Sequence, residues 1–278
     1  MATALIAVSV MAVCGIALGG VIGIAAKIFK VEIDPRIEEV ADLLPGANCG
    51  GCGKAGCSDF AKAVVAGEVS PGGCPVCSGE AADKIAKLLG IDAGGGEKKV
   101  AVVFCGGDDK RAKNSVNYNG VNDCISASLI AGGPKDCRYG CLGLASCARA
   151  CPFGAIEMLD GLAYVHEELC VACGKCIDAC PRKLVKLVPL SAKVHVYCNS
   201  PEKGAAKKNN CEVSCIGCRK CVKAAEDGQV EINGFLAQIN YENMPSGDFI
   251  EKAGCPTNCL QSPTVHNEKI SAKEKVVR

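Results

Sequence analysis

The sequence predicts an α+β chain: a long apolar N-terminal helix, then a small helical domain, then two tandem modules each built round a β-hairpin. Three observations predict it. Residues 2–26 carry no charged side chain, 23 of the 278 residues are cysteines gathered in short-spaced groups, and part of the C-terminal half repeats at an offset of 74 residues. The expected divisions are an anchor over 1–30, a helical domain over 31–92 and a connecting segment over 93–133. A first module over 134–190, a second over 191–266 and a charged tail over 267–278 follow.

Composition narrows the chemistry. A net charge of +1 leaves no basic footprint for nucleic acid. With 4% aromatics and no tryptophan, a large aromatic-rich core is not expected, and small modules need cross-links to hold them. Those links are disulfides in an oxidising compartment and metal centres in a reducing one.

The run "ATALIAVSVMAVCGIALGGVIGIAA" is long enough to cross a bilayer once. It exceeds the apolar core of a signal peptide and has no basic start. Lys27 and Lys30 follow it and no basic residue precedes it, so the bulk of the chain is expected on the cytoplasmic side of the inner membrane. There the thiols are metal ligands rather than disulfides. Gly15, Gly19 and Gly23 form a ridge that either receives another helix or reflects the frequency of glycine in such spans. Cys14 reads as an apolar filler.

Next, "DPRIEEVADLLPG" carries the Asp cap and first-turn Pro of a helix. Behind it, "NCGGCGKAGC" and "SPGGCPVC" set Cys49, Cys52, Cys57 and Cys74 at a spacing of two, four and sixteen residues, with Cys77 an alternative fourth. Three thiolates on a glycine-rich loop hold three corners of a [4Fe–4S] cubane, and free backbone amides offset its charge. Structural zinc favours two C-x2-4-C pairs, a pattern this spacing does not match. "SGEAADKIAKLLG" reads as a capped helix ending at Gly90, and "DAGGGEKK" as a linker.

The strongest motif is "CVACGKCIDACP", in which Cys170, Cys173 and Cys176 precede Cys180-Pro181. In two-cluster ferredoxins the fourth cysteine of such a run crosses to the other cluster. The partner motif is "CRYGCLGLASCARACP". The expected sets are Cys170, Cys173, Cys176 with Cys151, and Cys137, Cys141, Cys147 with Cys180. Between them "AIEMLDGLAYV" alternates and turns at Asp160-Gly161 as a hairpin does.

The offset of 74 lays Cys124, Cys137, Cys141 and Cys147 on Cys198, Cys211, Cys215 and Cys221, and the hairpin on "VEINGFLAQI", turning at Asn233-Gly234. Cys151, Cys170, Cys173 and Cys176 fall on Ala225, Met244, Gly247 and Ile250, so the second module is expected to lack that set entirely. Its one cluster is expected on Cys215, Cys218, Cys221 and Cys255, with Cys211 competing for the place of Cys218. About four [4Fe–4S] clusters result. Cys105 and Cys259 keep no assigned role, while Cys124 and Cys198, paired by the offset, either supply alternative ligands or pack beside a cluster as thiols. The three histidines, His166, His195 and His266, read as isolated surface or satisfied residues, and no Rossmann, P-loop or nucleophile motif is present.

Together the apolar span, "NCGGCGKAGC", "CIGCRKC" and "CPTNCL" resemble the B subunit of the Rnf electron-transport complex over nearly the whole chain. The missing set in the second module departs from the complete paired motifs of related forms. The resemblance implies an electron-entry subunit of an ion-translocating ferredoxin:NAD oxidoreductase, with no substrate-level active site of its own. It implies soluble ferredoxin as donor, the other subunits of the membrane complex as partners, and lipid contact through the N-terminal helix. A membrane-tethered polyferredoxin serving another reductase, and a zinc scaffold, are the competing readings.

Overall fold

The computed structural model describes residues 2–28, 34–94, 97–130 and 132–268; in the first of these stretches side chains are described for 11–25 and 27. Lys30 and most of the 267–278 tail lie outside the described residues. The helix α1 runs Ala2–Ile28. Among the described residues no helix is long and apolar enough to cross a membrane, and the anchor expected over 1–30 extends beyond them.

Helices α2 (Pro35–Leu43), α3 (Cys57–Val65) and α4 (Gly79–Leu89) form the small domain. Asp34 caps α2 by accepting from the Arg36 amide at 3.0 Å. Ser78 caps α4, and Gly90 ends it in the left-handed conformation, with φ 67°. Their apolar faces meet in a core of Val40, Leu44, Phe60, Val64 and Ile85.

The rest of the chain forms two modules of one design. The first comprises β1 (Lys99–Val103), α5 (Cys124–Leu129), α6 (Ser146–Ala150), β2 (Ile156–Leu159), β3 (Leu162–Val165), α7 (Lys175–Asp178) and β4 (Val185–Pro189). The second comprises β5 (His195–Val196), α8 (Gly204–Asn210), α9 (Lys220–Ala224), β6 (Val230–Asn233), β7 (Leu236–Ile239), α10 (Phe249–Ala253) and β8 (Leu260–Gln261). In each, a central hairpin (β2–β3, β6–β7) accompanies an antiparallel pair made by the first and last strands (β1–β4, β5–β8). The stretch 93–133, expected only to connect, therefore supplies a strand: Lys99 to Val103 pair with Pro189 to Val185.

The first hairpin turns at Asp160-Gly161, both with positive φ, as a type I′ turn requires. The second turns one residue later than the sequence places it. Asn233 pairs with Leu236, so the loop is Gly234-Phe235. Gly234 alone has positive φ, which suits a glycine-first two-residue turn better than the Asn-Gly pattern.

The modules lock together through backbone. The Gly106 amide donates to the Tyr197 carbonyl at 3.0 Å, and Ala112 bridges Cys211. Phe104, His195, Tyr197 and Tyr241 pack edge-on beside this seam. His195 is buried there, its Nδ1 is 2.8 Å from the Tyr241 hydroxyl, and burial lowers its pKa to about 4, which keeps it neutral.

One buried lysine staples each module, in the same way in both. Lys135 Nζ donates to the Gly107 and Gly161 carbonyls, both at 2.9 Å. Lys207 Nζ donates to Ser200 at 3.0 Å and Phe235 at 2.8 Å. Each ammonium thus ties a loop after the first strand to the tip of the hairpin. Lys207→Met is expected to leave the Ser200 carbonyl without its ammonium donor and the Phe235 carbonyl with only the Cys215 thiol at 3.9 Å, and to cost about 3 kcal/mol of stability, read as a lowered unfolding midpoint of the purified chain.

Candidate iron–sulfur sites

The glycine-rich loop before α3 curls round a space of about 290 Å³ lined by Cys49, Cys52, Cys57 and Cys74, with Leu44, Phe60 and Val76 as its apolar wall. Asn48 holds the loop: its Oδ1 accepts from the Cys57 amide at 2.8 Å, and a side chain at Gly56 would strike that oxygen. Cys77 stands beside Cys74, outside this lining.

A second space, of about 330 Å³, is lined by Cys151, Cys170, Cys173 and Cys176 with Phe153, Ala155 and Ile156. The Ala101 amide points at Cys170 Sγ, 3.4 Å away. A third, of about 380 Å³, is lined by Cys215, Cys218, Cys221 and Cys255 together with Cys259. The Ala237 amide approaches Cys215 Sγ at 3.5 Å. Of the two candidates, Cys218 rather than Cys211 faces this space.

The remaining expected set is not brought together whole. The Cys147 thiol is pushed up to about 12 by burial, then by the neighbouring charges of Cys180, Cys124 and Cys176. Cys141 is raised to about 12 by burial and then by Cys105, whose Sγ accepts from the Cys141 amide at 3.3 Å. Cys137 faces elsewhere, into a fourth space of about 360 Å³ that it shares with Cys105, Cys198 and Cys211. The turn from Cys137 to Gly140 is clamped by Arg182, which donates to both carbonyls. Cys137 thus lines the fourth space, while Cys141, four residues on, lines none of the four.

The donor set fits iron–sulfur clusters. The first two spaces are edged by thiols and apolar side chains, the third adds Arg219, Lys220 and Thr257, and the fourth adds Glu202, Lys207 and Asn210. Backbone amides are aimed at Cys170 and Cys215, as a cluster's negative charge requires. Among the described residues no three His, Cys, Asp or Glu side chains converge on a point that would hold a single metal ion. The thiols instead stand apart round a volume. Buried thiols held above their ordinary range, such as Cys176 at about 12 through burial and then Cys170, release protons on ligation.

The pairing of Cys124 with Cys198 needs correction. The structural counterpart of Cys198 is Cys105. Each amide donates to the carbonyl two residues back at 2.8 Å, Cys105 to Val103 and Cys198 to Val196. The preceding amides match as well, Phe104 to Leu184 and Tyr197 to Cys259. A longer connection in the first module, 106–136 against 199–210, breaks the register that the offset of 74 assumes. The signal lies in the short likeness of "VVFC" to "HVYC" at a different offset.

Residues 44–76 match the family model of a putative Fe-S cluster, and residues 163–184 that of a 4Fe-4S binding domain. The chain is 41% identical over 258 residues to the B subunit of the Na(+)-translocating ferredoxin:NAD(+) oxidoreductase complex of Acetobacterium woodii, covering 92% of this chain and 77% of that one. It is 43% identical over 236 residues to the B subunit of the ion-translocating oxidoreductase complex of Methanosarcina acetivorans, covering 84% and 89%. This chain belongs to the Rnf B-subunit family. A further Rnf relative, the B subunit of the proton-translocating ferredoxin:NAD(+) oxidoreductase complex of Clostridium ljungdahlii, is 38% identical over 265 residues, 94% of this chain and 93% of its own. Both family-model matches fall on cysteine groups described above, the first on Cys49, Cys52, Cys57 and Cys74.

Proposed function

We propose that this member of the Rnf B-subunit family is the electron-transfer component of a membrane-bound, ion-translocating ferredoxin:NAD oxidoreductase. The observation that supports it best is the contiguity of the thiol-lined spaces. Gly51 of the N-terminal loop packs on the backbone of Cys173, so closely that a β-carbon there would lie 2.9 Å from Cys173 Cα. Cys176 of the second space neighbours Cys147. Bound at these sites, [4Fe–4S] clusters would supply one-electron centres. The chain's own residues would ligate, exclude water with apolar walls and aim amides at the sulfurs, while the Arg182 guanidinium, bonded to the Cys137 and Gly140 carbonyls, adds positive charge nearby. Catalysis belongs to the assembled complex.

The anchor is part of the proposal. Large apolar side chains of α1, including Met11, Val13, Ile16, Leu18, Val21 and Ile24, are exposed on every side of the helix. A helix apolar all round is covered by lipid or by other helices. Gly15, Gly19 and Gly23 have nothing within 4 Å among the described residues, leaving room for a neighbouring helix of the complex. With Lys27 at its end, the remainder faces the cytoplasm.

Electron entry from soluble ferredoxin is proposed at the far end, where Cys218 is exposed. Exposed Arg219, Lys220 and Lys223 surround it, and Phe235 is 42% exposed beside it. A basic rim with an aromatic centre fits a small acidic redox protein. The test is anaerobic stopped-flow reduction of the detergent-purified chain by reduced ferredoxin. Arg219→Glu with Lys220→Glu is expected to slow reduction about tenfold at low salt, with the difference closing at high salt. An unchanged rate and salt slope would place entry elsewhere.

A further inference from the structure

The seam between the modules holds four cysteines to which no role falls in the four expected sites, apart from the displaced Cys137. Cys105 and Cys198 end equivalent first strands. Cys137 and Cys211 precede Cys141 and Cys215 by the same four residues in the two modules. The fourth space is thus edged by two pairs of matching thiols, one of each pair from either module.

Their proximity is seen from the glycines that make room for them. A β-carbon at Gly107 would meet Cys211 Sγ at 3.1 Å and Cys105 Sγ at 3.9 Å. One at Gly140 would meet Cys137 Sγ at 3.3 Å and Cys105 Sγ at 3.7 Å. Tyr197 and Val213 supply apolar wall. The seam's backbone bonds, Gly106 to Tyr197 and Ala112 with Cys211, fix both halves of the site against each other.

We infer that Cys105, Cys137, Cys198 and Cys211 ligate a fifth iron–sulfur cluster at the junction of the two modules. The four thiols edge one space of about 360 Å³, and their spacing along the chain does not form the two C-x2-4-C pairs that structural zinc favours. Each thiol gives up its proton on ligation. The site bridges the chain of sites, because Cys141 contacts Cys105 on one side and the Cys215 amide is directed at Cys198 on the other. With Cys137 engaged here, Cys124, a neighbour of Cys147, completes the set of Cys141, Cys147 and Cys180.

The inference rests on the reading that the other sites hold clusters, and iron counting separates the two. The full chain, purified anaerobically in detergent, is expected to carry about 20 iron atoms, and Cys198→Ser or Cys211→Ser about 16. Low-temperature EPR of the reduced variants should lose one set of signals and keep the rest, which also reports that the variants fold. Cys124→Ser should likewise lose about four iron. About 16 iron in the unaltered chain, unchanged by Cys198→Ser and Cys211→Ser, overturns the fifth cluster and leaves the other four standing. One zinc per chain that disappears with Cys211→Ser overturns it too. A chain without iron sinks the reading of every site.

Discussion

Cys255→Ala is expected to remove about four iron atoms per chain and one set of EPR signals, while Met244→Ala removes none. Cys255 lines the same space as Cys215, Cys218 and Cys221. Its thiol is lowered to about 4, first by a hydrogen bond from Cys259, whose Sγ lies 3.6 Å away. Cys259 keeps its proton, held by those bonds to Cys215 and Cys255 and by burial, and so stands beside the site as a donor. Met244 falls where the first module has Cys170, and its sulfur only approaches the Ser191 hydroxyl, at 4.0 Å. Around the matching positions, Val222, Ala224, Ala225 and Ile250 pack on the apolar core that includes Phe249 and Ala253, so side chains stand where the first module has its second set. Iron loss in Met244→Ala would show that this part of the second module holds a cluster after all.

Gly51→Val is expected to lever the N-terminal domain off the first module. Its β-carbon would lie 2.9 Å from Cys173 Cα, 3.0 Å from the Cys173 carbonyl oxygen and 3.2 Å from Pro75. Two of these are backbone atoms that cannot turn aside. Overpacking of this kind costs about 1–3 kcal/mol, enough to change the ratio of docked to undocked domain by roughly 5- to 150-fold. Iron content should hold, since Cys49, Cys52, Cys57 and Cys74 keep their own loop and core. The change would appear as slowed reduction of the N-terminal site and faster proteolysis of the 91–98 stretch. A variant with unaltered reduction kinetics and protease resistance would mean the contact with Cys173 carries no coupling.

Local signals in the sequence carried far. Asp34-Pro35, Ser78 and Gly90 mark helix ends because each makes or allows a bond within four residues of itself, and the structure has the helices there. The Asp160-Gly161 turn is legible for the same reason. The sets of Cys49, Cys52, Cys57, Cys74 and of Cys215, Cys218, Cys221, Cys255 combine a short run with one distant residue, and each lines one space. What spacing does not encode is which side of a turn a thiol faces. Cys137 sits four residues before Cys141 yet faces the seam, because the chain reverses between them under the hold of Arg182. Nor does a single offset survive an insertion. The long connection after Cys105 hid its likeness to Cys198, and with it a space whose walls come from two modules.

The apolar filling between α9 and α10 has a consequence for traffic. A second module with its full complement of ligands would offer a fork, a siding where an electron could be parked beside the route. Ile250 and Ala225 close that siding. On the proposed reading, an electron that enters at exposed Cys218 finds one stop in the second module where the first module offers two.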